Sequence, residues 1–214
     1  MIKLIRALSI LGLAALASCV PIDCPDCVFP APAPASSQPA VGPISHIQVA
    51  HVSNIFEGTA AFVGSTQARQ GQPIFEGDHF FTGAGTKMEV TLESGGTVML
   101  DANTDPNLFT SAKCFVLRLL SGKMVVNSTP TNPLCVESGP NAAGQHSSVL
   151  YESDGHRLVI TVFEGQVVTI RPRGVLITAG QSATLQDGRL ASPPQQVPLQ
   201  LLNRMQSWIP RVIL

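Results

Sequence analysis

Apolar and polar residues alternate with a period of two over most of this chain, the signature of half-buried β-strands. ISHIQVAHVSN alternates at Ile47, Val49 and His51, and Thr59–Val63 reads as a second short strand. Strand candidates follow at Asp78–Thr82, Lys87–Leu92 and Thr97–Asp101, separated by Thr82-Gly83-Ala84-Gly85 and Glu93-Ser94-Gly95-Gly96. Val90 and Leu92, then Val98 and Leu100, turn one face inward, and the Gly-Gly break between them is a hairpin signal. Cys114–Leu120 and Lys123–Asn127 flank Ser121-Gly122, which reads as a turn. Ser147–Glu152, Arg157–Phe163 and Gln166–Arg171 are separated by SDGH and EG, and Val175–Thr178 and Ala183–Gln186 flank AGQ. About a dozen short strands at these spacings predict an all-β fold, an antiparallel β-sandwich or open barrel. No βαβ alternation is present.

One segment has the helical period. In VPLQLLNRMQSWIPRVIL the residues Leu201, Leu202, Met205, Trp208 and Ile209 share a face, and Pro210 ends the run. Such a helix either lies on the sandwich or docks a partner. Leu201, Met205 and Trp208, the last being the chain's one tryptophan, are the candidate partner-binding residues.

Composition narrows the class. Of 214 residues only 13% are charged and 44% are hydrophobic, with net charge −1. That excludes a charged disordered tail and leaves no nucleic-acid footprint. The 18 Gly and 17 Pro suit strands and turns better than long helices. The first 18 residues stand apart from the fold. Lys3 and Arg6 precede an apolar run from Leu8 to Leu16 and then small residues, the layout of a secretory signal too short to span a bilayer. Leu16-Ala17-Ser18-Cys19 resembles a bacterial lipobox, and the resemblance implies that Cys19 becomes the lipidated first residue of a mature chain. In the lipoproteins it resembles, Asp after that Cys signals inner-membrane retention, so Val20 implies the outer membrane. A mature chain starting there has 11 basic and 14 acidic residues, net −3.

If Cys19 carries lipid, Cys24, Cys27, Cys114 and Cys135 remain, an even number that suggests two disulfides in an oxidising compartment. Pairing of neighbours is simplest, and the two other connectivities stay open. Cys24-Pro25-Asp26-Cys27 has the spacing of a thiol redox centre or half a zinc site. The VFPAPAPASSQPAVGP that follows cannot supply the helix a redox cysteine sits on, and no second ligand pair follows for zinc. Residues 19–43 therefore read as a lipidated, proline-rich tether, 44–190 as a β domain, and 191–214 as a proline-rich linker and amphipathic helix.

Within the β domain Gly77-Asp78, Thr82-Gly83, Met88–Leu92, Gly96-Thr97 and Val98–Leu100 occur in the order of a recurrent pattern of the FecR family of extracytoplasmic domains. Leu120-Ser121-Gly122-Lys123-Met124, Phe163-Glu164-Gly165-Gln166-Val167 and Ala179-Gly180-Gln181 resemble later motifs of that family. The likeness runs over roughly residues 56–188, and it departs where GQHSSVLYESDG stands in place of the family's Gly-Thr strand entry. The resemblance implies a β module used for binding or assembly. The family's transmembrane sensors signal to a sigma factor through a cytoplasmic tail; no such tail is read in this sequence, so that role is not expected.

A search for chemistry yields little. His46, His51, His79, His146 and His156 form no metal-ligand motif, and no nucleophile elbow occurs. His79 beside Asp78, with Glu76 nearby, could be an acid/base or metal site, although Asp78 more simply satisfies a turn after Gly77. Gly83-Ala84-Gly85-Thr86-Lys87 lacks the spacing of a phosphate loop. Asp101, Asn103 and Asp105 resemble the start of a calcium loop, but Pro106 and the missing distal Glu argue against one. No cofactor is expected. Two functions remain. One is a non-enzymatic envelope module, lipid-anchored in the outer membrane, that binds an envelope protein, peptidoglycan or another glycan. The other is an envelope hydrolase or metal-dependent enzyme acting on cell-wall polysaccharide, with a site built from loops, which needs facing carboxylates.

Overall fold

The computed structural model describes residues 47–111, 114–128, 134–145 and 147–207. Among them lie seventeen strands and one helix. The strands are β1 Gln48–Phe56, β2 Ala61–Val63, β3 Thr66–Gln67, β4 Pro73–Phe75, β5 Phe80–Thr82, β6 Lys87–Leu92, β7 Thr97–Leu100, β8 Asp105–Thr110 and β9 Phe115–Asn127. They continue as β10 Leu134–Ser138, β11 Asn141–Gln145, β12 Ser148–Ser153, β13 Arg157–Glu164, β14 Gln166–Arg171, β15 Leu176–Thr178, β16 Gln181–Gln186 and β17 Arg189–Gln196. The helix α1 spans Leu199–Gln206.

Two layers share one strand. In the first layer the order is β4, β1, β6, β7, the second half of β9, β12, β13, β16 and β17. In the second, β8 and β10 flank the first half of β9, and β11, β14 and β15 follow. Alternation along each strand sends one set of side chains between the layers. Met88, Val90, Val98, Leu100, Met124 and Tyr151 from the first layer meet Leu108, Leu117, Val136 and Val167 from the second in one core, each essentially inaccessible to water. The three-stranded sheet β3–β2–β5 supplies Ala61, Val63 and Phe80 to the same core.

The all-β class and the single helix near the C-terminus match the periodicity. The expected all-antiparallel pairing has one exception, because β10 runs parallel to β9, with Cys135 opposite Val116. Ser121-Gly122 is not a turn. β9 passes through it unbroken and changes layer there, since Asp105 faces Ser121 in one layer and Ser153 faces Gly122 in the other. Gly122 has φ 100°, and a Cβ on it would stand 2.5 Å from Thr104 Cα. Only glycine lets the two backbones approach this closely. By contrast the Gly95-Gly96 hairpin forms as expected, with both residues at positive φ and Thr91 facing Thr97.

Residues 191–196, which their prolines suggest as linker, complete β17 against β16. An edge strand tolerates Pro193 and Pro194 because its outer backbone groups have no sheet partner to lose. Five further short strands, β3, β4, β8, β10 and β11, carry too few alternating apolar residues to stand out in sequence.

Candidate binding surfaces

The corner around His79 holds the side chains with the most chemical potential. Gly77, at φ 82°, turns the chain between β4 and β5. Asp78 Oδ2 accepts a hydrogen bond from the Phe75 amide at 2.9 Å, so this carboxylate closes the turn. Glu76 Oε1 accepts from both the amide (2.9 Å) and the hydroxyl of Thr110. The hydroxyl, then the amide, hold the Glu76 carboxyl below the usual carboxylate range. His79 Nε2 meets Asp105 Oδ1, and its ring lies 5.1 Å from that of Phe81. Phe81 in turn stacks on Phe62 at 4.9 Å. The three titratable groups that adjoin in sequence thus turn to three separate partners, whereas paired acid/base catalysis needs two groups facing one space.

The other sequence candidates are also drawn into the fold. Asp101 Oδ1 accepts from the Ala102 amide and Asp105 turns to His79, so the two carboxylates of D-x-N-x-D take separate partners. In the glycine-rich loop, Thr86 Oγ1 accepts from the Ala60 amide at 3.0 Å and Lys87 pairs with Glu57 at 2.8 Å. Among the described residues no group of three or more His, Cys, Asp or Glu side chains is placed to hold a metal ion. Cys114 and Cys135 are disulfide-bonded, their Cα atoms 6.0 Å apart, which pins the start of β9 to β10. Cys19, Cys24, Cys27 and Trp208, together with His46 and His146, lie outside the described residues.

Among the described residues two surfaces could receive a partner. One is the outer face of the second layer, where cross-strand partners form rows. Asn107 faces Arg118, Arg118 faces Glu137, and beyond them Ala142 faces Arg171. Glu137 accepts from Arg118 at 3.4 Å and from Arg171 at 3.3 Å, and the Arg118 guanidinium lies 5.0 Å over the Phe109 ring. Beside this charged row Val168, Ile170 and Leu176 are 44%, 46% and 49% exposed. Val168 faces Leu176 on one side and Gly144, which has no side chain, on the other, and the Cβ position of Gly144 lies 3.8 Å from Ile170 Cδ1. Sequence periodicity could not find this patch, because apolar residues on both faces of β14 read as a fully buried strand.

The second surface lies under α1. On the outer face of the first layer Met99, Val125 and Leu150 form a small separate cluster, with Phe56, Phe163 and Met205 packed against it. Met205 and Leu202 are half-buried, while Leu201 is 43% and Leu199 72% exposed. Of the proposed partner-binding residues, then, Met205 packs on the sheet and Leu201 faces out.

No family model matches the chain, and no curated protein matches it. Solved structures do. The chain is similar to a structure from Parabacteroides distasonis described as a "putative anti-sigma factor", with TM-score 0.51 and 13% identity over 60% of this chain. A second structure with the same description and source has TM-score 0.49 and 16% identity over 60% of this chain. The match spans 65% of the first of these proteins and 64% of the second. At this identity the first match speaks for the fold alone.

Proposed function

We propose that the protein is a lipid-anchored module of the bacterial envelope, its FecR-like β domain binding a protein or glycan without catalysing a reaction. The observation that carries this reading is the exposed apolar patch Val168–Ile170–Leu176 beside the Arg118–Glu137–Arg171 row. An apolar centre with an arginine-rich border is the composition of a protein contact surface. The acid and histidine side chains most suited to chemistry are meanwhile bonded to groups that build turns and strand contacts. The signal segment and the Leu16–Cys19 motif support the anchor, and residues 20–43 the reach from it. The fold likeness to a protein described as a putative anti-sigma factor accords with a FecR-like domain and supports no regulatory role by itself.

The test is affinity capture from envelope extract with the wild-type chain and with the triple variant Val168→Thr, Ile170→Thr, Leu176→Thr. The exposed positions keep β-branched or polar residues that a strand edge tolerates. One stoichiometric partner, recovered by the wild type and lost with the variant, is the expected result. Equal recovery by both proteins excludes this face as the contact.

A further inference from the structure

Cross-strand partners on the outer face of the second layer form one apolar row over six strands. It runs Phe109, Val116, Cys135, Gly144, Val168 and Leu176, from β8 through β9, β10, β11 and β14 to β15. Cys135 lies in the row as half of a disulfide, and Ile170 Cδ1 reaches the Gly144 position. Five strand spacings make the row about 24 Å long. Beside it runs a second row that carries Arg118, Glu137 and Arg171. The Arg118 and Arg171 side chains are 47% and 54% exposed, their shared partner Glu137 only 26%. The apolar row therefore has one charged flank, and that flank presents more positive than negative charge.

The chemistry of the face narrows what covers it. A sugar ring stacks on an open aromatic face, but the Arg118 guanidinium already lies over the Phe109 ring, the one aromatic ring in the row. An anionic lipid surface would have to take Glu137 against its own phosphates. A second copy of the face would set arginines against arginines. An extended peptide laid flat on a sheet leaves its backbone groups without partners, whereas a helix satisfies its own. The chain itself uses the helical solution. On the outer face of the first layer α1 covers the apolar centre Met99–Val125–Leu150 and packs Met205 on it. Among the described residues α1 is the one helix, so the row on the second layer has none.

We propose that this row receives an amphipathic helix of a partner protein, with carboxylates along the side of that helix that faces Arg118 and Arg171. A helix as long as the row has about 16 residues. Its apolar stripe comes from positions spaced i, i+3, i+4 and i+7. The inference rests on the reading that this face is the contact, and it adds what the partner presents there.

Binding of two fluorescent peptides to the full chain tests it. Both are amphipathic helices of about 16 residues with leucines along the apolar stripe. One carries glutamates along one flank, and the other carries lysines in their place. The glutamate peptide should bind saturably and at least fivefold tighter than the lysine peptide. Arg118→Gln with Arg171→Gln should erase that preference, because Glu137 is then the charge left on the flank. The triple variant Val168→Thr, Ile170→Thr, Leu176→Thr should lose both peptides, and phosphatidylglycerol vesicles should not compete with the glutamate peptide. Equal binding of the two peptides, binding of neither, a preference that survives the arginine changes, or competition by the vesicles would overturn the acidic helix, with the contact face still to be judged by the capture experiment. Peptide binding that the triple variant retains would overturn both readings, since the site would then lie off this face.

Discussion

Thr104 lies across the backbone at Gly122, its Oγ1 donating to the Lys123 carbonyl at 2.9 Å and accepting from the Lys123 amide at 3.0 Å. Thr104 is wholly buried, and its own amide donates to Thr82 Oγ1 at 3.1 Å. The loop after β7 is thereby clamped to the point where β9 leaves one layer for the other. Because β9 is, among the described residues, the one strand that pairs in both layers, this clamp fixes how the layers meet.

Gly122→Ala should therefore be among the most costly single substitutions in the domain. The new methyl would stand 2.6 Å from the Asn103 carbonyl oxygen as well as 2.5 Å from Thr104 Cα, both backbone atoms that cannot rotate away. Strain at positive φ and overpacking together predict a loss of about 3 kcal/mol. Chemical denaturation should show a lower midpoint with an unchanged slope. Gly71→Ala is the control: it too has positive φ, but its added methyl meets nothing within 4 Å.

Loss of the Cys114–Cys135 bond should destabilise without changing the fold. The loop it closes, with a sequence separation of 21, contains all of β9. Chain entropy gives about 3 kcal/mol for a loop of this size. The double change Cys114→Ala, Cys135→Ala should lower the denaturation midpoint accordingly and leave the far-ultraviolet dichroism of the native state unchanged.

Tyr151, the chain's single tyrosine, is fully buried, and burial alone pushes its phenol far above the usual range. Above about pH 10 the unfolded chain releases this proton while the folded one keeps it. The folded state then binds more protons, so its stability falls as pH rises, by about 1.4 kcal/mol per pH unit. Phenolate absorbance should appear only as the protein unfolds. In Tyr151→Phe this alkaline slope should be absent.

Glu76 works in the opposite direction. Its carboxyl is held low by Thr110, so the stability it contributes is complete above the ordinary glutamate value and is lost as pH falls through the folded one. Asp154, whose Oδ1 accepts from the Arg157 and His156 amides, behaves likewise. Glu76→Gln should flatten the acid limb of a stability–pH curve below about pH 4.3. A curve parallel to wild type there would show that the Thr110 contacts do not persist in solution.

Much of the fold was legible because short apolar runs bounded by turn residues mark strands. Lys87–Leu92 and Gln166–Arg171 appear in the structure with the boundaries those runs predict. Ser121-Gly122 misleads because a glycine placed for close backbone approach looks the same in sequence as one placed for a turn. Pro193 and Pro194 hide β17 because local propensity does not record that a strand lies at an edge. The candidate surfaces were less visible. Arg118, Glu137 and Arg171 are far apart in sequence and meet only through the pairing of β9, β10, β11 and β14. His79 and Asp105 are likewise brought together by the β5–β8 contact, while Asp78 and Glu76, its neighbours in sequence, turn elsewhere.

Whether this β domain works at a membrane on a lipid tether is read from the intact mass of the protein in the membrane fraction of its own cells. The proposed anchor requires a chain that begins at Cys19, carries the added mass of several acyl chains and lacks residues 1–18. A chain that retains residues 1–18, or one that begins near Cys19 with no acyl mass, would contradict it.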